Sequence, residues 1–414
     1  MARLNGKNKI KMKSGISNKS QITMFMIIGL LLFIIIGLAL YLSKSTIKKQ
    51  SKESIKKIQE IPIDVQPIKE FVTRCLDKLA KDAIILIGRQ GGYIYKSQGG
   101  TLADYMKTDE GTLFLKYDGN DITYNILPPK FAAQSYSSQI PDYPWIIFPY
   151  EDASSNMKFN GFFGINNMPP LTYLKGSNSM QTQIESFVDN NIESCADFSV
   201  FEKQGYSIVM NPAKTSVVIS NNDVSVKSKI PITVTNSATN ELTQLEDFSA
   251  ILNVRLKNTH LFTKELINND IKNIKFDIGG SGYGRDFLSA NLVENVLHND
   301  DLVVVTDEKS LINGNPFEYV FARRNRAPAL HYIRPNIISF PRGYLINETD
   351  LLQNNTLNVD DPDEDNYTLN IFIGEFGTQP AQFPKKLDAP QIKFRIEVSD
   401  GQLSDYQVIT VNRI

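Results

Sequence analysis

Cysteine and histidine are scarce in this sequence. The cysteines are Cys75 and Cys195, and the histidines His260, His298 and His331 lie far apart. Two thiols exclude a four-thiolate zinc site. Excess charge of either sign is absent as well, with 44 Lys and Arg against 45 Asp and Glu. Nucleic-acid-binding domains normally carry a basic excess, so the balance argues against nucleic acid as a partner. No histidine stands beside a serine or cysteine nucleophile motif. Asp286, Asp307 and Glu308 are carboxylates on which a hydrolytic site would draw, but no spacing sets them apart from surface acids. What is plentiful is apolar sequence: hydrophobic residues make up 42% of the chain, which places most of it among folded rather than disordered proteins.

One apolar run differs from the rest. Residues Ile22 to Leu42 contain no charge. At about 1.5 Å of rise per residue they match a hydrocarbon core of about 30 Å, and a globular core helix is rarely apolar on every face for so long. The run is therefore read as a transmembrane helix. Tyr41-Leu42-Ser43-Lys44 is a poor signal-peptidase site, which favours an uncleaved anchor. Lysines and arginines are nearly balanced on its two sides, so the positive-inside rule barely orients it. The short basic tail before the run and the bulk of the chain after it place the N-terminus inside and the remainder outside.

Beyond the anchor, residues 43–61 read as a Lys- and Ser-rich stalk, broken by Pro62 and Pro67. Phe71, Val72, Cys75, Leu76 and Leu79 recur at helical spacing, and the glycines of Gly88 to Gly92 close that helix. A phosphate loop opens a helix instead, so these glycines are a stop and turn. Two β-prone runs flank Asp118-Gly119-Asn120-Asp121 and predict a hairpin. The aromatic, proline-rich stretch Tyr136 to Tyr150 is read as a packed loop. A second helix is predicted from Met180 to Ala196, and Ile184-Glu185-Ser186-Phe187-Val188 echoes Ile68-Lys69-Glu70-Phe71-Val72, each followed by a cysteine. If the echo is a duplication, the helices pair and Cys75 and Cys195 come close enough to bridge; two buried free thiols are the alternative. From Tyr206 onward, β-branched runs predict short strands, with turns at Asn221-Asn222-Asp223 and at a Lys-Ser pair. Residues 248–274 include one helix, and Asp301 to Phe321 returns to strands. Gly279 to Gly284 is read as a flexible loop.

Two resemblances add to this reading. Asp360-Asp361-Pro362-Asp363-Glu364-Asp365 followed by Leu369, together with Val398-Ser399-Asp400-Gly401-Gln402-Leu403-Ser404-Asp405, resembles the paired motifs of cadherin-like and related immunoglobulin-like surface modules, and Asn325-Arg326-Ala327-Pro328 resembles the linker that opens them. The resemblance implies a β-sandwich and, in some relatives, Ca²⁺ held by clustered carboxylates, here Asp360, Asp361, Asp363, Asp365 and Asp400. Glu364 stands where the motif has glycine. Lys19-Ser20-Gln21-Ile22-Thr23 resembles the cleavage region of archaeal pilin-like (class III) signal peptides, which implies processing between Ser20 and Gln21. Ser20 departs from the usual Gly or Ala, and Phe25 from the Glu that many pilins carry. Sequons at Asn347, Asn354 and Asn366 are glycosylation candidates that fit an external location.

The expected architecture is mainly β with some α. It comprises a basic cytoplasmic tail at 1–21, the anchor at 22–42, the stalk at 43–61, a mixed α/β domain at 62–205, a β-sandwich region at 206–325 and an immunoglobulin-like β-sandwich at 326–414. The expected function is adhesion, recognition or envelope structure at a cell surface, of the kind seen in archaeal surface proteins. Its partners would be the lipid bilayer and a surface protein or glycan, with a homo-oligomer allowed. A pilin-like filament subunit and an anchored hydrolase outside the cell are the alternatives.

Overall fold

The computed structural model describes residues 63–103, 114–129, 163–173, 178–280, 283–331, 333, 335–352 and 358–414. The predicted membrane helix, tail and stalk, Ser20, Gln21, Asn354 and the aromatic stretch 136–150 lie outside the described residues. Among the described residues, no helix is long and apolar enough to cross a membrane. The structure is mainly β, and Val65 to Ile414 form one compact unit.

Helix α1 spans Gln66–Arg89, with a proline in its first turn where a missing N–H costs nothing. Its buried positions, among them Ile68, Val72, Cys75, Leu76, Leu79, Ala83, Ile84 and Ile87, fall at spacings of three and four. Burying each large aliphatic side chain contributes about 1.5–3 kcal/mol. Gly91 and Gly92 then turn left-handed, at φ 69° and 91°, and the Gly92 N–H closes on the Ile87 carbonyl. Strands β1 (Phe114–Tyr117) and β2 (Asn120–Leu127) form the predicted hairpin around Asp118 and Gly119, both at positive φ. The short β3 (Ile165–Asn166) pairs with the end of β2. Helix α2 (Met180–Cys195) starts at Ser179, whose hydroxyl caps the Thr182 N–H.

A meander follows: β4 (Tyr206–Met210), β5 (Lys214–Ile219), β6 (Val224–Asn236) and β7 (Leu242–Leu252). β4 and β5 pair successively along one edge of β6, and β7 pairs along the other. The predicted Lys-Ser turn is absent. Lys227-Ser228-Lys229 runs straight through β6, alternating outward lysines with an inward serine, and the irregularity falls beside Pro231, which cannot donate to the ladder.

Helix α3 (Leu256–Asp270) leads to β8 (Gly284–Arg285), β9 (Leu288–Leu297), β10 (Asp300–Ile312) and β11 (Asn315–Arg323). Gly284 thus belongs to a strand rather than to the expected loop. This sheet has the order β1-β2-β11-β10-β9-β8, and β2 joins it parallel to β11. The expected boundary at 205/206 therefore does not divide separate sheets. Nor do the strands of 206–325 close into one sandwich: they belong to two sheets, and α1 packs against β7 of one and β11 of the other, while α2 packs on β5. The physical reason is that α1 is apolar over a wide face and is buried by both.

The last part of the chain contains β12 (Ala329–Leu330), β13 (Ile337–Phe340), β14 (Leu345–Ile346), β15 (Val359–Asp360), β16 (Thr368–Ile373), β17 (Lys385–Lys386), β18 (Gln391–Ser399) and β19 (Ser404–Arg413). Its main sheet is β13-β19-β18-β16, flanked by the pairs β12-β15 and β14-β17. Phe394, Ile396, Val398, Ile409 and Val411 bury the alternating face of β18 and β19 around a core with Leu330, Ile346, Leu351 and Leu387.

Candidate functional site: a buried ionic junction and a helix clasp

The most concentrated chemistry lies where β11 runs into the C-terminal module. Arg323 ends β11, and Arg326 follows it in the linker; both are buried. Buried guanidinium groups persist only when paired and hydrogen-bonded, and three equally buried carboxylates surround them. Asp270 sits at the C-terminus of α3, where a negative charge opposes the helix dipole and needs a cation. Asp301 comes from β10 and Asp363 from the loop after β15.

Arg323 donates to Asp301 Oδ2 from Nε at 3.0 Å and from Nη2 at 2.6 Å, and reaches Asp270 Oδ1 at 3.3 Å. Arg326 donates to Asp363 Oδ1 at 3.0 and 2.7 Å, and its backbone N–H reaches Asp363 Oδ2 at 2.6 Å. Its other donors reach Asp270 and the carbonyls of Phe163 and Pro362. Burial pulls both guanidinium pKa values down, but the adjacent Asp270 and Asp363 more than offset it and hold them above the ordinary arginine range. Burial raises the Asp301 carboxyl, against the opposing pull of Arg323.

The five carboxylates expected to hold calcium do not form one ligand set. Asp363 is committed to Arg326 and Arg323. Asp360 binds His331 at 2.8 Å and Lys275 at 3.4 Å. Asp400 accepts from Asn325 Nδ2 at 2.8 Å and from two backbone N–H groups of its own turn. Asp361 caps the Asp363 and Asp365 N–H groups at 2.8 and 3.1 Å. Burial, with Asp363 next in effect, pushes both the Asp361 and the Asp365 carboxyl up to about 7. Among the described residues, no three His, Cys, Asp or Glu side chains are grouped to hold a metal. Guanidinium groups take the cation's place at Asp363 alone, while among the described residues Asp361 Oδ2 and Asp365 Oδ2 are buried without a hydrogen-bond partner. Glu364 adopts φ 65°, the left-handed conformation for which the motif's glycine is suited.

Asp286 and Asp307, considered above for hydrolysis, also serve an arginine. Arg255 at the start of α3 donates to Asp286 Oδ2 at 2.6 Å and to Asp307 Oδ2 at 3.0 Å, and Ser310 Oγ completes the group on Asp307. Asp307 is fully buried, which suits an anchor of α3 on β10.

A second feature is covalent. Cys75 on α1 and Cys195 at the end of α2 form a disulfide, with Cα atoms 5.8 Å apart and a sequence separation of 120. The paired packing of α1 and α2 brings the two positions together. Closing a loop of that length restricts the unfolded chain by roughly 4–5 kcal/mol. Asn347 and Asn366 are exposed; the Asn347 side chain also caps the one-turn helix Glu348–Leu351.

Sequence reasoning passed over Arg323, Arg326, Asp270 and Asp301. Two signals were available: the basic cluster Arg323-Arg324-Asn325-Arg326 in a charge-balanced chain, and an aspartate at a helix C-terminus. No protein-family model matches the chain, and no curated protein matches it.

Proposed function

We propose that this chain is a single-pass membrane-anchored surface protein whose rigid, β-rich ectodomain presents contact faces to a protein or glycan at a cell surface. The observation that carries the reading is the disulfide between Cys75 and Cys195, since such bonds persist mainly in oxidising compartments outside the cytosol. The uncharged run Ile22–Leu42 supplies the anchor, with the N-terminus inside. The exposed sequons at Asn347 and Asn366 agree with an external face. The C-terminal module, with its alternating β18–β19 hairpin, is read as immunoglobulin-like. The buried junction suits a presenting role: Arg323 and Arg326 hold this module to the preceding sheet, so a binding face on either part keeps its orientation.

Protease digestion of intact cells, followed by mass spectrometry of released and retained peptides, tests the reading. Release of peptides from 63–414 with retention of 1–20 is the expected result. Full protection of the ectodomain would sink it. A mature N-terminus at Gln21 would replace it with the pilin-like reading, for which the basic tail before a Gln-led apolar run speaks.

A further inference from the structure

Residues 163–173 form a strap that ties together three elements. Through β3 it pairs with β2, and Asn167 bonds the Asn125 and Tyr124 carbonyls. The carbonyls of Pro170 and Leu171 accept the Met180 and Gln181 N–H groups in the first turn of α2. Against α3 the strap makes three hydrogen bonds: Phe163 N–H to the Ile271 carbonyl at 3.0 Å, Asn166 Nδ2 to Asn268 Oδ1 at 3.2 Å, and His260 Nε2 to the Pro169 carbonyl at 3.1 Å.

His260 stands apart among these contacts. A carbonyl only accepts, so Nε2 carries the proton and Nδ1 is left as the bare nitrogen. Among the described residues, that Nδ1 is buried and has no hydrogen-bond partner, and neither does the buried Thr263 Oγ1 one turn further along α3. A second proton on the ring would therefore place a charge and an unpaired donor in a buried site. The strap offers nothing to receive it: residues 163–173 contain no acid or base apart from the exposed Tyr173. On α3 the charge acting on the ring is Lys264, which repels a second positive charge. Burial, then, holds the ring's pKa below the ordinary histidine value; Lys264 adds to this, and the bond to Pro169 opposes it.

We propose that His260 is an acid-released latch. When neutral it fastens α3 to the strap at Pro169, and when protonated it frees the strap and the first turn of α2 to open locally. Because the folded state resists the proton that the opened state accepts, the closed form is fully favoured above about pH 6.5 and loses ground as pH falls, by up to about tenfold in the opening constant per pH unit. The device is independent of which partner the ectodomain meets.

The test is amide hydrogen exchange on the full-length chain in detergent micelles, corrected for intrinsic rates. Peptides covering 163–173 and 178–183 are followed from about pH 7.5 to 4.5, with the α1 peptide 76–87 reporting global opening. The expected result is loss of protection in the first two peptides on acidification while α1 stays protected, and a flat response in His260→Gln, which keeps a donor for Pro169 and cannot charge. A flat response in the unsubstituted chain, or an equally steep one in His260→Gln, would overturn the latch. Should His260→Gln fail to fold, exchange of the His260 ring C2 hydrogen in the unsubstituted chain decides: a midpoint clearly below about 6.5 supports the latch and an ordinary one refutes it. Asp361 and Asp365, which titrate higher and favour the folded form as pH falls, do not mimic this response.

Discussion

Two interfaces hold this molecule together, and they are made of opposite materials. Where α1 meets the sheets, the contact is aliphatic: Leu76, Ala80, Ile84 and Ile87 are fully buried and carry no charge. Where the C-terminal module meets the body, the contact is ionic, with Arg323 and Arg326 set among Asp270, Asp301 and Asp363. Apolar packing is forgiving, since a shortened side chain leaves a cavity that neighbours partly fill. A buried ion lattice is not, since a missing partner leaves a buried charge only partly compensated. The α1 interface secures the fold, and the junction fixes one geometry.

The strongest test of that contrast removes one side of the lattice. Asp363→Ala leaves Arg326 with Asp270 as its one remaining carboxylate among the described residues and should cost about 4 kcal/mol in urea unfolding of the full-length chain, with new protease cleavage in the linker 324–328. The double change Asp363→Leu with Arg326→Met should recover much of the loss, because an apolar pair replaces the stranded ion. Equal loss in the single and double variants would show that the junction is held by something other than charge. At the aliphatic interface, Ile84→Ala should cost about 3 kcal/mol, with unchanged linker protection.

Gly88 sharpens the comparison from the other direction. It lies where α1 meets β11, and a Cβ there would collide with the Glu318 carbonyl oxygen and the Phe317 ring. Gly88→Ala should therefore lower stability by about 2 kcal/mol through overpacking, despite alanine's better helix propensity. A further test concerns pH dependence. In the folded state Asp361 keeps its proton up to about pH 7, while the unfolded chain releases it near pH 4. Stability is thus full below about pH 4 and declines as pH climbs toward about 7. Asp361→Asn, which keeps the acceptor for the Asp363 and Asp365 N–H groups, should flatten that decline in a series of urea midpoints.

The aliphatic interface was legible in the sequence and the ionic one was not, for a physical reason. Periodicity records which face of a helix or strand avoids water, so α1, α2 and the alternation of β18 appear directly in the order of residues. The turn at Asp118 and Gly119 was legible because few residues tolerate positive φ. Nothing comparable marks an ion lattice. Asp270, Asp301, Arg323 and Asp363 belong to four segments far apart in the chain, and each alone looks like a solvated charge. The carboxylates of 360–365 were legible as a cluster, but the guanidinium groups that claim Asp363 were not. Likewise Lys227-Ser228-Lys229 looked like a turn by polarity, although its alternation already fits an edge-to-edge strand with one wet face.

The parallel placement of β2 beside β11 bears on how the molecule comes into being. Tyr124 and Ile126 find their partners at Ala322 and Arg323, almost two hundred residues later. During synthesis the β1–β2 hairpin emerges early, and its inner edge then waits with unpaired backbone groups until β11 arrives. For that interval the nascent chain exposes a sticky margin to whatever lies nearby, and a chaperone or the neighbouring α1 has to shield it. A ribosome that stalls before Arg323 would therefore release a product prone to clumping, whereas one that stalls shortly after would release a chain whose largest sheet is complete.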